Sequence, residues 1–365
     1  MNYYRYEGHT LCAWDALPYE RIDALPGEGE IIFLFAREML TGRETFPVTD
    51  AALLTDKEGV ETLDASAPGP AIPPELEEAI RAGRVRAVNR LHPRWQELLS
   101  PLPRKEKYRV NLLGLGDVGS TLLQGLRLLG GDVISSIGIC DLRENVPQRW
   151  EFELNQIGLP WEYDALPPVE VIGPEELFAG DVFLFCVVSD PVDPLCRAVL
   201  LESNRNEAGV LDGEGLFPHQ VRGFGLGVMN ARAAYYAKKD QRFADFLTDG
   251  RSFGPHGEDL VIANSIAHYD DALSRELTEL AAHANLEMRR MGFKPFVAPA
   301  LSSGALSLLL CLRGRWHCSS ACLGGVFMGG RNRMTPGGVE FERLPLPKAL
   351  LDRLKETEEK LRAIP

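Results

Sequence analysis

Apolar and polar positions change rhythm along the chain, and the changes divide it into parts. Ile31, Ile32, Phe33, Leu34 and Phe35 form a continuous apolar run dominated by β-branched and aromatic residues, which predicts a strand. Residues 65–74 are rich in Pro, Ala and Gly and predict a loop or linker. A helix is expected to start at Pro74, because proline suits the first turn and Glu75, Glu77 and Glu78 complement its positive end. It should stop near Gly83. Pro101 and Pro103, followed by Arg104 and Lys105, mark an exposed boundary. From Tyr108 onward the pattern becomes strand, glycine turn, helix, strand, with β-type runs at 109–113 and 133–140 around a helical 120–129. That alternation predicts a parallel sheet with crossover helices. At the far end, Leu350, Leu354 and Leu361 share one stripe of a helix. Asp352, Lys355, Glu356, Glu359 and Lys360 share the other, as in a surface helix docked by one face. The sequence shows no internal repeat and no low-complexity tract.

The chain is 365 residues long, 45% hydrophobic and 25% charged, which suits a globular protein of two or three domains. Its formal charge of −13 gives a field that repels phosphate backbones and anionic lipid. Nucleic acid and membrane surfaces are therefore not expected as partners. The apolar run 305–312 is too short to span a bilayer, and the opening residues lack the pattern of a secretory leader. A cytoplasmic protein is the expectation. Seven cysteines, scattered and odd in number, fit buried reduced thiols better than a disulfide framework. Of these, Cys318 and Cys322 lie near His317 without the paired spacing of a zinc site, and 323–327 reads as strand, so no metal is expected. Trp14, Tyr19 and Trp95 suggest a packed aromatic cluster in the first hundred residues, where no residue set carries a recognisable chemistry.

The strongest chemical signal is Gly114-Leu115-Gly116-Asp117-Val118-Gly119, a G-x-G-x-x-G placed between a β-type run and a helical run. Gly114 permits the tight turn, Gly116 lets backbone approach a diphosphate, and Gly119 lets helix pack close to strand. The N–H groups of Asp117 and Val118 belong to the same helix end, where an anion is favoured. The next strand ends at Asp141, placed to accept from the ribose hydroxyls of NAD and to repel the 2′-phosphate of NADP. Two residues on, Arg143 could bind that phosphate if it turned inward, which leaves the cofactor preference open. These features predict a Rossmann-type dinucleotide-binding half.

Several segments in order resemble the lactate/malate dehydrogenase family, across most of residues 107–362 and none of the first hundred. Asp181 to Phe185 is similar to a later strand of that family. Val188-Ser189-Asp190-Pro191-Val192-Asp193 resembles its V-S-N-P-V-D, which would place Val188 and Asp190 beside the cofactor. Gly254-Pro255-His256-Gly257 resembles the segment that holds the family's catalytic histidine, and residues 318–333 and 336–343 resemble its closing strands. The resemblance implies that His256 takes the hydroxyl proton while hydride leaves for nicotinamide, a task suited to imidazole near neutral pH. Ala231-Arg232 matches a segment whose arginine grips a substrate carboxylate, so Arg232 inherits that role. The family's histidine-orienting aspartate then falls on Met229, or, with a shift of one, on Asn230. The segment 181–193 also runs two strand signals together and leaves no room for the family's mobile loop with its arginine. Arg197, Arg205 and Arg222 could replace that arginine, but a solvated surface role explains each.

The expected architecture is α/β: a small N-terminal region of unknown role (1–105), a doubly wound Rossmann-type parallel sheet (106–222) and an α+β substrate domain (223–365). The expected function is an NAD-dependent oxidoreductase acting on a small anionic 2-hydroxy or 2-oxo acid, assembled as a homo-oligomer. The alternative from another class is a catalytically silent NAD(H)-binding sensor or interaction protein. A third reading, an NAD- and metal-assisted glycosidase, needs metal ligands for which Cys186 and Cys196 give little sign.

Overall fold

The computed structural model describes residues 1–38, 42–102, 104–187, 220–257 and 259–363. Its first strands are β1 (Asn2–Tyr6), β2 (His9–Ala13), β3 (Glu20–Arg21), β4 (Ile31–Phe35), β5 (Thr45–Pro47) and β6 (Val85–Asn89). Among the described residues they form one mixed sheet in the order β3-β1-β2-β4-β6-β5, with β2, β4 and β6 parallel to one another. All five residues of β4 are buried because both faces of the sheet are covered, which explains its unbroken apolar run. Helix α1 (Pro74–Arg81) lies in the crossover from β4 to β6, and it carries Leu76, Ala79 and Ile80 into the core beneath Phe33 and Phe35. On the other face Tyr6 and Tyr19 pack with Trp95, their ring centroids 4.7 to 6.2 Å apart. Trp14 stands apart from that cluster. It is 38% exposed, with its indole N–H donated to Leu54 O at 2.8 Å, because β2 ends before it and no aromatic ring among the described residues packs on it.

The next four strands are β7 (Tyr108–Leu113), β8 (Ile134–Cys140), β9 (Val169–Val171) and β10 (Val182–Phe185). They are all parallel, in the order β10-β7-β8-β9. The chain steps outward from β7 through β8 to β9 and then crosses back past β7 to β10, the doubly wound order. The crevice at such a switch point, between the carboxyl ends of β7 and β10, is where ligands settle in open α/β sheets. Val110, Leu112, Ile137 and Ile139 face a core built with α2 (Asp117–Leu129). Leu113, Cys140 and Phe183 face the opposite side against Ile172 and Leu177. Both faces are buried, as a parallel sheet requires. Helix α3 (Val146–Asn155) follows β8.

The rest is α+β. Strands β11 (Arg222–Gly223), β14 (His317–Leu323), β15 (Val326–Thr335) and β16 (Gly338–Phe341) form an antiparallel sheet in the order β11-β14-β15-β16, beside the hairpin of β12 (Arg251–Phe253) and β13 (Val261–Ala263). The expected single strand over 323–327 is instead a hairpin corner. Gly324 and Gly325 take φ of +61° and +84°, the left-handed pair that a two-residue turn demands. Helices α4 (Leu226–Ala237), the short α5 (Phe246–Asp249) and α6 (Asp271–Arg290) pack together beside this sheet. A π-helical segment, Pro299–Leu306, runs into α6's successor α7 (Ser307–Leu312) and lies on α2: a Cβ on Gly125 would stand 2.6 Å from Ala305 Cβ.

The final helix α8 (Lys348–Arg362) docks more broadly than the leucine stripe foretells. Leu350 and Leu354 are fully buried, but so, nearly, are Arg353, Thr357 and Glu358. Their polar ends are satisfied on arrival: Arg353 donates to Ser274 Oγ and Tyr269 Oη, and Glu358 accepts from Val60 N at 3.2 Å. Val60 and Leu63 lie in the same core as Phe253, Met328 and Leu354, so the hydrophobic core of the C-terminal half extends across to the first hundred residues. Charged contacts reinforce that seam. Arg43 pairs with buried Glu58 and donates to Val339 O, while Arg343 donates to Thr62 O and Asp64 O and pairs with Asp50 at 3.0 Å.

Candidate functional site

The glycine turn follows β7 at the switch point. Gly114 has φ of +95°, which a side chain rarely tolerates, and Cys186 backbone atoms lie 3.0 Å from where its Cβ would be. Gly119 faces backward, where a Cβ would stand 1.9 Å from Gly114 O. Gly116 differs from both, since a Cβ there would meet nothing within 4 Å. It caps α2 without a side chain, so the first-turn N–H groups of Asp117, Val118 and Gly119 have no side-chain cap. An uncapped helix start facing open space fits a diphosphate. Asp117 and Val118 stand at its rim, the former 3.3 Å from Lys294 Nζ and the latter 39% exposed.

Asp141 follows β8 and closes on the same turn. Its Oδ2 accepts from Leu115 N at 2.6 Å and its Oδ1 from Arg143 N at 2.9 Å. The Arg143 fork completes the set, with Nε on Oδ1 at 2.9 Å and Nη2 on Oδ2 at 3.0 Å. Burial works to raise the Asp141 carboxyl, but the hydrogen bonds from Arg143 and Leu115 outweigh it and hold it down at about 2. The acid is ionised throughout the neutral range, and it pins the glycine turn to the end of the neighbouring strand. Gly114, Gly116, Gly119 and Asp141 are thus brought together. Val188 and Asp190 lie outside the described residues, as do Arg197, Arg205, Cys196 and the part of the segment expected to lack a mobile loop that runs over 188–193.

His256 lies in the loop after β12 and is exposed. Its Nδ1 is 3.1 Å from Gly225 O, at the N-terminus of α4. A Cβ on Gly225 would stand 2.8 Å from His256 Cβ, so the ring lies against a position that only glycine leaves clear. The same carbonyl accepts from Ser303 Oγ at 2.7 Å, and Ser303 Oγ in turn accepts from Val228 N. This hydroxyl ties the π-helical segment, and through it α2, to the histidine's support.

Neither residue at the aspartate position, Met229 or Asn230, hydrogen-bonds His256. Met229 is buried, and Asn230 Oδ1 accepts from Ser252 Oγ at 3.1 Å instead. The carbonyl of Gly225 takes the place because α4 begins there, one turn earlier than either side chain. Arg232 is half-buried and donates through Nη1 to Ala281 O at 3.3 Å on α6; no hydrogen bond or ion pair joins it to His256 among the described residues. Burial lowers its guanidinium without neutralising it. Arg222 corrects a further expectation. It is no solvated surface arginine: Nε and Nη1 are buried with no acceptor among the described residues, Nη2 meets Met334 Sδ at 3.4 Å, and burial lowers it to about 10. Pairing of β11 with β14 turns it inward.

His317 is buried, and both of its ring nitrogens have protein partners. Its Nδ1 meets Arg315 O and its Nε2 the Ser319 hydroxyl, each at 3.0 Å, and burial lowers it to about 4. Among the described residues no cluster of three His, Cys, Asp or Glu side chains could hold a metal ion, and the six described cysteines are free thiols. No described helix is long and apolar enough to cross a membrane.

Gly225, Ser303 and Lys294 were not singled out by position or motif, and Arg143 was named only as a phosphate ligand, not as a clamp on Asp141. The only trace of the first is the closely spaced pair Gly225 and Gly227 before a helical run, which reads equally as an ordinary loop.

The chain has a counterpart among solved structures. The apo malate dehydrogenase of Picrophilus torridus superposes with a TM-score of 0.53 at 15% identity, over 70% of this chain and 95% of that one. The fold is malate dehydrogenase-like. No protein-family model matches the sequence, and no curated protein sequence matches it. Likeness at this identity speaks for the fold alone, so the chemistry rests on the residues of this chain.

Proposed function

We propose that this malate dehydrogenase-like chain is an NAD(H)-dependent oxidoreductase acting on a small anionic 2-hydroxy or 2-oxo acid. The observation that carries the reading is the switch-point turn, where an uncapped helix start opens through Gly116 beside an ionised Asp141. In this reading residues 106–222 form the dinucleotide-binding half and 223–365 the substrate domain, with 1–105 buttressing the latter through Val60 and Leu63. A small-molecule substrate, a homo-oligomeric assembly and a cytoplasmic location belong to the same proposal.

When bound, the nicotinamide supplies the hydride acceptor. The chain supplies a proton acceptor and an anion grip. With Nδ1–H donated to the Gly225 carbonyl, Nε2 of His256 is the basic nitrogen and receives the hydroxyl proton of the alcohol. A carbonyl fixes that tautomer but brings only a partial negative charge, so it stabilises the resulting imidazolium less than a carboxylate does. Arg232 retains donors beyond the one spent on Ala281 O, and these serve the substrate carboxylate.

Nicotinamide absorbance, followed with a panel of 2-hydroxy and 2-oxo acids, tests the reading. Turnover is expected, and His256→Ala is expected to lower kcat by about 10²–10⁴-fold, the usual contribution of a positioned acid/base. A second reading, a silent NAD(H)-binding protein, is favoured by buried Met229 in the aspartate position. Tight NADH binding with no turnover on any acid, and no effect of His256→Ala, selects it.

A further inference from the structure

We infer that Arg143 is a specificity-determining residue that lets the adenosine end of the site take either a free or a 2′-phosphorylated ribose, an inference that rests on the dinucleotide reading above. The geometry is specific. An ionised carboxylate offers about four acceptor positions, two on each oxygen. Backbone N–H groups of Leu115 and Arg143 take one on each oxygen, and the Arg143 side chain takes the second on each. The fork therefore occupies one acceptor position per oxygen, which is what a vicinal diol needs when its two hydroxyls donate to Asp141.

The two partners differ in freedom. Asp141 is buried to 8% exposure and anchored by backbone on both oxygens, whereas the Arg143 side chain is 60% exposed. Arg143 can leave without disturbing the turn; Asp141 cannot. An unphosphorylated ribose displaces the fork and takes over its two acceptor positions. A ribose carrying a 2′-phosphate cannot approach a bare carboxylate, but with the fork in place Asp141 is neutralised, and Nη1 makes no hydrogen bond to any described residue. The guanidinium then presents donors and charge to the phosphate. The same side chain competes with one ligand and receives the other.

Opposite signs follow. Removing Arg143 frees Asp141, so Arg143→Ala is expected to tighten NAD by about two- to five-fold, the factor that an exposed ion pair corresponds to. The same variant is expected to weaken NADP at least about ten-fold, since it loses charge-assisted bonds and faces an unscreened carboxylate. Calorimetric titration of the full chain with NAD and with NADP, for wild type, Arg143→Ala and Arg143→Lys, reads both. In the wild type the two constants should lie within about ten-fold of each other, with NADP the more salt-sensitive; Arg143→Lys should keep part of the NADP affinity. If both affinities fall together, Arg143 merely holds the turn and the inference is overturned. An unchanged NAD-to-NADP ratio overturns it too. Absence of heat with either nucleotide in the wild type rejects the dinucleotide reading itself, and the inference with it.

Discussion

At the scale of single residues, three glycines that look alike in the sequence have unlike surroundings. Gly116 faces open space and Gly119 faces the carbonyl of Gly114, so one methyl group should separate binding from stability. Gly116→Ala is expected to fold with a stability within about 0.5 kcal/mol of wild type, its φ of −71° being open to alanine, while NADH affinity falls. Gly119→Ala drives a Cβ into backbone at 1.9 Å and is expected to lose about 1–3 kcal/mol or more. Denaturant unfolding alongside fluorescence titration of NADH distinguishes the two. Equal losses of stability would mean that the space before Gly116 is not a ligand space. Asp141 was legible at this scale from its place after the strand. The Arg143 fork was only a possibility there, because an arginine two residues on reaches back or away according to the turn between.

Among elements, the N-terminus of α4 governs the candidate catalytic centre. Its first carbonyl neighbourhood, at Gly225, collects His256 from the loop after β12 and Ser303 from the π-helical segment. Gly225 has φ of −110°, which alanine accepts, so only the approach of His256 Cβ at 2.8 Å is at issue. Gly225→Ala is therefore expected to displace the imidazole and lower kcat on the order of 10²-fold, as misplacement of a catalytic group by about 1 Å does. Stability should fall by no more than about 1–3 kcal/mol. Steady-state rates compared with thermal unfolding check this, and an unchanged kcat would show that the glycine contact does not position the base. Elements with strong local signals, such as β4, α1, α2 and α8, could be read directly because their periodicity and end residues are local properties. The burial of Arg353 and Glu358 on α8 could not, because their partners, Ser274 and Val60, come from distant parts of the chain.

For the whole molecule, the buried polar groups set the response to acid. The unfolded chain takes up a proton on His317 near the ordinary value of about 6.5, but the folded chain only at about 4 because burial opposes the charge. Between those values the unfolded state binds more protons, so stability rises with pH. The contribution from neutral His317 is complete above about pH 6.5 and is lost as the pH falls towards 4, by up to about 3 kcal/mol. Unfolding free energies measured across that window should show the loss, and His317→Gln should flatten the slope by about one proton. An identical slope in the variant would place the acid sensitivity elsewhere.

By itself the sequence determined local things: that segments such as β4 and α1 are strand and helix, that β7, the glycine turn and α2 make a strand–turn–helix unit, and that an acid follows the next strand. Those depend on neighbours within a few residues. Tertiary structure decided which carbonyl supports His256, that Arg222 is buried and not solvated, and that the first hundred residues share a core with the last hundred. Each of these is a meeting of groups far apart in the chain, and a side chain's partner at such a meeting depends on how whole elements pack, which no local pattern records.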